Sequence, residues 1–340
     1  MGSYCEQVGY ISGNMPKSIE VDGELEWSLI YEVGSKGLKK GGSVKIVFPP
    51  YQHQLSQEYI QVYDYWRSKF AWAVCSNENK RVVTAAEKVD TNFLHVKNWP
   101  DSTRVLKVIA QDELIQGEKI IIRYGGIDRP WIKGAATPTR VGRHSHKREG
   151  TFLQYKAYID IDGNGEYMPL NEIRPIEILP SEAKSVHIFS PSIVRPKEIF
   201  EIDLSIRDRF ENPIFDKENY NFTLSIQNLK DKIIYKEIGI EGGHNVEAFI
   251  DEGGFYEITI KDTDLTVQKS VLLCSQIYEK LYWGDTHCHS NLSPNIRDND
   301  GGAHPQACYD YARDVSFLDF VCLIEQTFKF DNDDNVNLSR

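Results

Sequence analysis

No stretch of about 18 apolar residues occurs in the sequence, and a helix crossing a bilayer needs one, so no membrane span is predicted. The first residues (MGSYCEQVGYISGN) lack the basic region and apolar run of a secretory signal, so no signal peptide is expected. No two cysteines have C-x-x-C spacing. The six are scattered, at Cys5, Cys75, Cys274, Cys288, Cys308 and Cys322. This favours reduced thiols in a cytoplasmic protein over a disulfide framework.

Positive charge is also scarce relative to negative charge. The chain has 39 Lys and Arg against 50 Asp and Glu, a formal net charge of -11. Such a surface repels phosphate backbones, so no nucleic-acid partner is expected.

Alternating apolar residues dominate the first half of the chain. Residues 24–31 place Leu25, Trp27, Leu29 and Tyr31 on one face, and residues 152–161 do so with Leu153, Tyr155, Ala157 and Ile159. Period-two patterning indicates strands that pack on one face and meet water on the other. Residues 1–180 are therefore predicted to form an N-terminal β-rich domain.

A second series of strands follows a break at residues 179–182 (LPSE). Residues 199–206 alternate in the same way, and residues 251–256 (DEGGFY) are similar to the turn before a late immunoglobulin-like strand. An immunoglobulin-like β-sandwich is predicted over residues 181–277.

The pattern changes in residues 278–340. A short apolar strand at 282–284 is followed by a predicted helix at 305–314 and an apolar run at 318–324, which suits a strand buried on both faces. Together they predict a right-handed βαβ unit. The predicted fold class is thus mainly β: two consecutive β-sandwich-like domains, then the first βαβ unit of an α/β barrel.

The histidines of this last segment suggest a metal site. On an extended chain His287 and His289 leave the same face, and two adjacent imidazoles suit a divalent transition metal. Asp285 lies on the same side and can ligate or orient an imidazole. His144 and His146 have the same spacing but lie in a basic loop, and no metal role is predicted for them.

Residues 282–293 (YWGDTHCHSNLS) resemble the first motif of the PHP superfamily, named for its polymerase and histidinol-phosphatase members. The whole chain looks like a little-characterised branch with β-domains before the PHP domain. The resemblance implies a distorted α/β barrel with up to three Zn, Mn or Fe ions that activate water against a small-molecule substrate such as a phosphoester. It makes Asp285, His287 and His289 metal ligands, with Glu325 as a further carboxylate.

The chain departs from that family in two places. Gln326 stands where the family has a ligating histidine, and only 340 − 280 = 60 residues follow Lys280, whereas such a barrel needs about 200. We therefore expect a fragment or remnant that does not turn over substrate by itself. The alternative is a non-catalytic β-sandwich binding or interaction protein with a degenerate PHP remnant. An exposed apolar edge at residues 318–324 also predicts self-association.

Two further motifs leave alternatives open. Residues 160–165 (DIDGNG) match the start of a calcium loop, although a turn between strands is the preferred interpretation. Trp66 and Trp72 suit either a sugar-stacking platform or core packing, and core packing is the default for aromatic residues at this density.

Overall fold

The structure is a computed structural model of the chain. It describes residues 6–48, 60–88, 104–126, 151–215, 220–228, 233–241, 245–261, 263–277, 279–288, 290 and 305–324. The chain divides into two compact units, the first containing the described residues up to Leu179 and the second those from Pro180 onward. The domain limits predicted from the sequence divide the chain more finely and stay predictions.

The described part of the first unit contains three sheets. Its strands are β1 (Tyr10–Asn14), β2 (Ser18–Glu20), β3 (Glu26–Glu32), β4 (Ser43–Val47), β5 (Ala71–Cys75), β6 (Val82–Lys88), β7 (Arg104–Ala110), β8 (Lys119–Gly125), β9 (Thr151–Leu153), β10 (Lys156–Asp160), β11 (Met168–Pro169) and β12 (Ile176–Leu179). The strand orders are β1-β3-β8-β5, β11-β10-β4-β7-β6 and β2-β12-β9. All neighbours are antiparallel except β2 and β12.

Four aromatic rings form the centre of this unit. The Trp27 ring of β3 stacks on Tyr124 of β8 with centroids 5.3 Å apart, and it meets Tyr155 edge-on at 5.2 Å. Phe48, which directly follows β4, packs 5.0 Å from Tyr124 and 5.3 Å from Tyr155. The aromatic cluster therefore joins the sheet of β3 and β8 to the sheet of β4 and β10.

The second unit contains the remaining strands and a helix. These are β13 (Ala183–Phe189), β14 (Ile193–Val194), β15 (Phe200–Asp208), β16 (Asn221–Asn228), β17 (Ile233–Glu241), β18 (Val246–Ala248), β19 (Gly254–Lys261), β20 (Thr266–Gln268), β21 (Ser270–Cys274), β22 (Gly284–Cys288), α1 (Pro305–Asp314) and β23 (Phe320–Leu323). Strands β18-β15-β13-β20 and β14-β21-β19-β16-β17 form two sheets. One apolar core holds residues of both, among them Ile202, Leu204, Leu224 and Ile258.

A buried carboxylate organises the start of the second unit. Asp208 is fully buried at the end of β15, and its oxygens accept hydrogen bonds from the backbone N–H groups of Ser181, Phe210 and Asn212. The Ser181 hydroxyl and the Asn212 side-chain amide also donate to it. A buried carboxylate needs several donors of this kind to offset its loss of water. Asp208 thereby ties the beginning of the unit to the turn after β15.

The mainly β prediction is confirmed, whereas the predicted barrel is not supported. Strands β22 and β23 pair in parallel, with α1 between them in sequence, but they form a two-stranded sheet in the described part of the chain. A barrel strand is buried on both faces. Residues Gly284–His287 are exposed instead, and β23 alternates between exposed and half-buried positions. The apolar composition of residues 318–324 therefore predicted more burial than β23 has.

We predict that Trp27→Ala destabilises the protein by about 3–5 kcal/mol, because it empties the centre of the aromatic cluster. No hydrogen bond to Trp27 Nε1 occurs within the described residues, so the loss comes from packing. Chemical denaturation measures it. The matched control is Trp66→Ala at a half-exposed tryptophan, which is expected to change stability by less than about 0.5 kcal/mol. Equal losses in the two variants would contradict the prediction.

Candidate functional site

Two of the four predicted metal ligands lie within the described residues. Asp285 and His287 are both exposed on β22, and Asp285 Oδ1 accepts a hydrogen bond of 2.8 Å from the backbone N–H of His287. One carboxylate oxygen is thus used to hold the strand locally. His289 and Glu325 lie outside the described residues, as do Gln326 and the pair His144 and His146.

Within the described ranges, no group of three His, Cys, Asp or Glu side chains is placed to hold a metal ion. The structure therefore gives the predicted metal centre no support. Because two of its four members are not described, the assignment of Asp285, His287, His289 and Glu325 as ligands is itself untested.

Large apolar side chains are exposed near β22, although Asp285, Thr286 and His287 of that strand are polar and also exposed. We call the apolar side chains the C-terminal strip, which consists of Leu281, Tyr282, Trp283, Phe320 and Ile324. Trp283 and Asp319 hold the two strands in register: the backbone N–H of Asp319 donates to the Trp283 carbonyl at 2.7 Å, and the N–H of Trp283 donates to Asp319 Oδ2 at 2.8 Å. These bonds hold Trp283 next to the start of β23.

A second exposed apolar surface lies in the first unit, on a loop that enters β5. We call residues 61–70 the aromatic loop. Its ends are joined, because the Gln61 N–H donates to the Lys69 carbonyl at 3.1 Å and the Ala71 N–H donates to the Gln61 carbonyl at 2.9 Å. Phe70 and Lys69 are buried at its base, while Tyr63, Tyr65 and Trp66 are exposed.

The side chain of Gln61 organises this loop from inside. Its Nε2 donates to the carbonyls of Asp64 and Ser68, at 2.8 and 3.2 Å. Its Oε1 accepts from the backbone N–H groups of Tyr63 and Asp64, at 3.0 and 2.8 Å. The carboxamide thus uses two donors and two acceptor positions on its own loop. Sequence patterning gave no signal for this role of Gln61.

The two tryptophans weighed in the sequence have different environments. Trp72 is only 7% exposed and lies below the Arg123 guanidinium, 5.1 Å from the ring centre. Trp66 is 48% exposed. Core packing is therefore confirmed for Trp72, whereas Trp66 belongs to the surface.

The Asn171 side chain makes the hydrogen bonds at the edge of β1 that a neighbouring strand would otherwise make. Asn171 Oδ1 accepts from the backbone N–H of Ile11 at 2.7 Å, and Asn171 Nδ2 donates to the Ile11 carbonyl at 2.7 Å. Arg174 Nη2 donates to the carbonyl of Met15, at 3.0 Å. Ile11, Met15 and Arg174 are among the residues that line a groove of about 640 Å³ beside β1. The hydrogen bonds of Asn171 and Arg174 satisfy edge groups that would otherwise pair with another chain.

A histidine without a predicted role lies beside the ion pair of Arg207 and Glu211 in the second unit. His187 Nε2 is 3.2 Å from Glu211 Oε2, and Arg207 Nη1 is 3.8 Å from the same oxygen. Burial lowers the pKa of His187, the charge of Arg207 lowers it further, and Glu211 acts in the opposite direction. The imidazole is therefore neutral at neutral pH and serves as a polar contact between β13 and the turn after β15.

The calcium-like motif forms a turn, which confirms the preferred interpretation. Asp160 Oδ1 accepts from the backbone N–H groups of Gly163 and Asn164, and Oδ2 accepts from that of Gly165, at 2.8, 3.3 and 2.8 Å. Gly163 and Gly165 have positive φ angles of 73° and 88°, as such a turn requires. Both oxygens of this buried carboxylate are thus occupied by backbone donors.

No family model matches the chain. An uncharacterized protein of Chlamydia pneumoniae is 24% identical over 232 residues, which cover 66% of this chain and 35% of that protein. One from Chlamydia trachomatis is 25% identical over 172 residues, covering 49% of this chain and 27% of that protein. The chain therefore spans about a third or less of the length of these relatives.

Among solved structures, the Escherichia coli adhesin FdeC is similar over 79% of this chain and 65% of its own, with 7% identity and a TM-score of 0.24. A cohesin module from a Clostridium perfringens family 33 glycoside hydrolase covers 52% and 99%, with 10% identity and a TM-score of 0.28. BcpA, the major pilin subunit of Bacillus cereus, covers 79% and 66%, with 9% identity and a TM-score of 0.22. At such TM-scores these likenesses carry no argument about function.

The PHP assignment made from residues 282–293 is wrong. No family model matches the chain, and in the described part of the chain the strand that carries the motif belongs to an exposed two-stranded sheet rather than to a barrel. The hydrolase function, the metal-binding character and the phosphoester substrate that the resemblance implied are withdrawn with it. The physical reason is that a short motif with two histidines is compatible with many local structures. Here its strand is exposed, and its aspartate bonds to the backbone.

We predict that Asp160→Ala destabilises the first unit by about 2–3 kcal/mol, because three backbone N–H groups lose a charged acceptor. The matched control is Asp162→Ala, two residues away, whose exposed carboxylate pairs only with the exposed Lys39 in the described structure and should contribute less than about 1 kcal/mol. Thermal unfolding measures both. Added calcium should leave the Tm unchanged, so a calcium-dependent rise lost in Asp160→Ala would contradict the turn interpretation.

Proposed function

We propose that the chain is a non-catalytic β-sandwich binding protein and that it associates with a second copy of itself through the C-terminal strip. The observation that carries this proposal is that five large apolar side chains are exposed on and beside a two-stranded parallel sheet: three directly before β22, Phe320 at the start of β23 and Ile324 directly after β23. Single apolar residues are normal on a protein surface, but several large ones exposed within two short segments favour an interaction site.

The sheet that carries the strip is an incomplete structure by itself. Parallel sheets are normally covered on both faces, and two strands alone are marginally stable in water. The two strands approach closely at Gly284, because a Cβ atom added to that residue would lie only 2.5 Å from the Phe320 ring. The other side of this ring is exposed, and covering it with apolar surface is favourable.

A second copy is the partner that supplies matching chemistry. A two-fold axis brings the same patch from each subunit together, so an apolar strip meets an apolar strip without a second surface having evolved. Polar side chains border the strip, among them Lys280, 5.1 Å from the centre of the Tyr282 ring, and the exposed Asp285 and His287, and they would form the polar rim of such a contact. The net charge of -11 instead disfavours close approach elsewhere on the molecule.

Two other expectations from the sequence remain part of the proposal. The cytoplasmic location rests on the scattered cysteines, and Cys75, Cys274, Cys288, Cys308 and Cys322 are free thiols in the structure. The absence of a nucleic-acid partner rests on the net charge. No helix in the described ranges is long and apolar enough to cross a membrane.

The experiment is sedimentation equilibrium over a range of protein concentrations. We expect a monomer–dimer equilibrium that the double variant Tyr282→Ser/Phe320→Ser weakens at least about tenfold, because two exposed rings are removed from the contact. Phe255→Ser is the matched control. Phe255 is an equally exposed phenylalanine on β19 of the same unit, and its loss should leave the equilibrium unchanged.

Two results would contradict self-association through the strip. The first is a monomer at every soluble concentration of the unaltered chain. The second is a dimer that the strip variant and the Phe255 control weaken equally.

A further inference from the structure

The aromatic loop displays three large rings to solvent, although the unit that carries it has a complete core. Tyr63 is 79% exposed, Tyr65 41% and Trp66 48%. Each such side chain can bury about 150–250 Å² of surface. Tyr and Trp are also the residues most enriched among those that dominate binding energies. Trp66 leaves about half of its surface uncovered, and that surface is available to a ligand.

The loop is built in advance to hold these rings in place. The Gln61 side chain donates two hydrogen bonds and accepts two, which together fix the backbone at residues 63, 64 and 68. The Arg67 N–H also donates to the Asp64 carbonyl at 2.9 Å. Lys69 adopts a positive φ of 58° as the chain turns back into the sheet. A loop that is already ordered loses little conformational entropy when it binds, which raises affinity for a small ligand.

The arrangement of rings and charges defines the ligand. We propose that the aromatic loop binds a neutral carbohydrate. The Tyr65 and Trp66 rings lie 4.8 Å apart at 87°, so they form a corner with one ring as a floor and the other as a wall. A sugar ring has an apolar C–H face that packs on such a floor and a rim of hydroxyl groups that needs polar partners.

Polar partners of this kind lie beside the corner. Arg67 Nε is 3.3 Å from Asp64 Oδ2, and both side chains are partly exposed. A guanidinium offers several N–H donors in a plane and a carboxylate offers only acceptors, so together they match neighbouring hydroxyls that both donate and accept. Their charges cancel within the pair, and the loop therefore favours a neutral ligand over an ionic one.

Other partners fit less well. The net charge of -11 opposes acidic glycans, anionic lipid headgroups and nucleic acids. A stable protein interface covers about 800 Å² on each side. Three partly exposed rings and one ion pair supply less than that, which suits an oligosaccharide of a few units.

The test applies the full chain to an array of neutral oligosaccharides of glucose, galactose, mannose and N-acetylglucosamine, with sialylated and sulfated glycans alongside. The strongest neutral glycan is then titrated by calorimetry. We expect Tyr65→Ala and Trp66→Ala each to weaken binding about tenfold, because each removes one ring of the corner. Phe152→Ala removes an aromatic ring of similar exposure, 44%, on β9 in a different sheet, and should leave the affinity unchanged.

A second pair of variants tests the positioning role of Gln61 with all three rings retained. Gln61→Leu removes its four hydrogen bonds, whereas Gln61→Glu keeps the two acceptor positions. We expect the glutamate variant to bind more tightly than the leucine variant, an order that ring area alone would not produce. Equal affinities of the two variants and the unaltered chain would overturn the pre-organised loop.

Three results would overturn the carbohydrate site itself: no neutral glycan bound, binding confined to acidic glycans, or neutral binding indifferent to Trp66→Ala. Co-sedimentation with phosphatidylcholine vesicles that Trp66→Ala abolishes would overturn it in favour of a lipid surface. The inference is independent of self-association, because Trp66→Ala leaves the C-terminal strip unchanged and should not alter the monomer–dimer equilibrium.

Discussion

The contact on which the first unit depends is the packing of Trp27 against Tyr124 and Tyr155. Trp27 and Tyr124 lie on β3 and β8 of one sheet, whereas Tyr155 directly precedes β10 of another, so the contact joins two sheets in one core. Strand β8 carries the constraint outward, because its Tyr124 is paired in register with Ala71 at the start of β5. The Phe70 carbonyl accepts from the N–H of Gly125, the last residue of β8. The base of the aromatic loop is thus held by the strand that supports the core, which explains how a surface loop keeps a defined shape.

Period-two patterning predicted the strands well where one face meets a core. Trp27, Leu29 and Tyr31 alternate in the sequence and are all buried in β3. The pattern succeeds because the pleat sends alternate side chains to opposite faces, so one packed sheet is enough to produce it. It fails at β23, where an apolar run predicted burial on both faces and Phe320 is exposed. An apolar composition shows that a strand can be buried, but it does not show whether other strands or helices are present to cover it.

The candidate sites show the same limit for single residues. Trp66 and Trp72 are six positions apart and chemically identical, yet one lies at the surface and the other in the core. Trp72 belongs to β5, whereas Trp66 lies in the loop before it, which Gln61 shapes through four hydrogen bonds to residues 63, 64 and 68. A glutamine has no local pattern that reveals such a role. Residues 285–287 show this limit too: their types suit a metal, but the sequence does not reveal that Asp285 accepts a hydrogen bond from a backbone N–H of its own strand.

The two proposed surfaces differ in the physics that would make each effective. Burial of apolar area drives association at the C-terminal strip, and an interface of that kind gains affinity mainly from its size. The aromatic loop offers little area and relies on rings held in place before the ligand arrives, so its affinity for one sugar chain is modest. Each copy has one such loop. A dimer formed through the strip would carry two, and a polymeric glycan that reaches both would meet the second at a raised effective concentration. Self-association would then strengthen glycan binding without any change in the loop, whereas a short oligosaccharide would bind monomer and dimer equally.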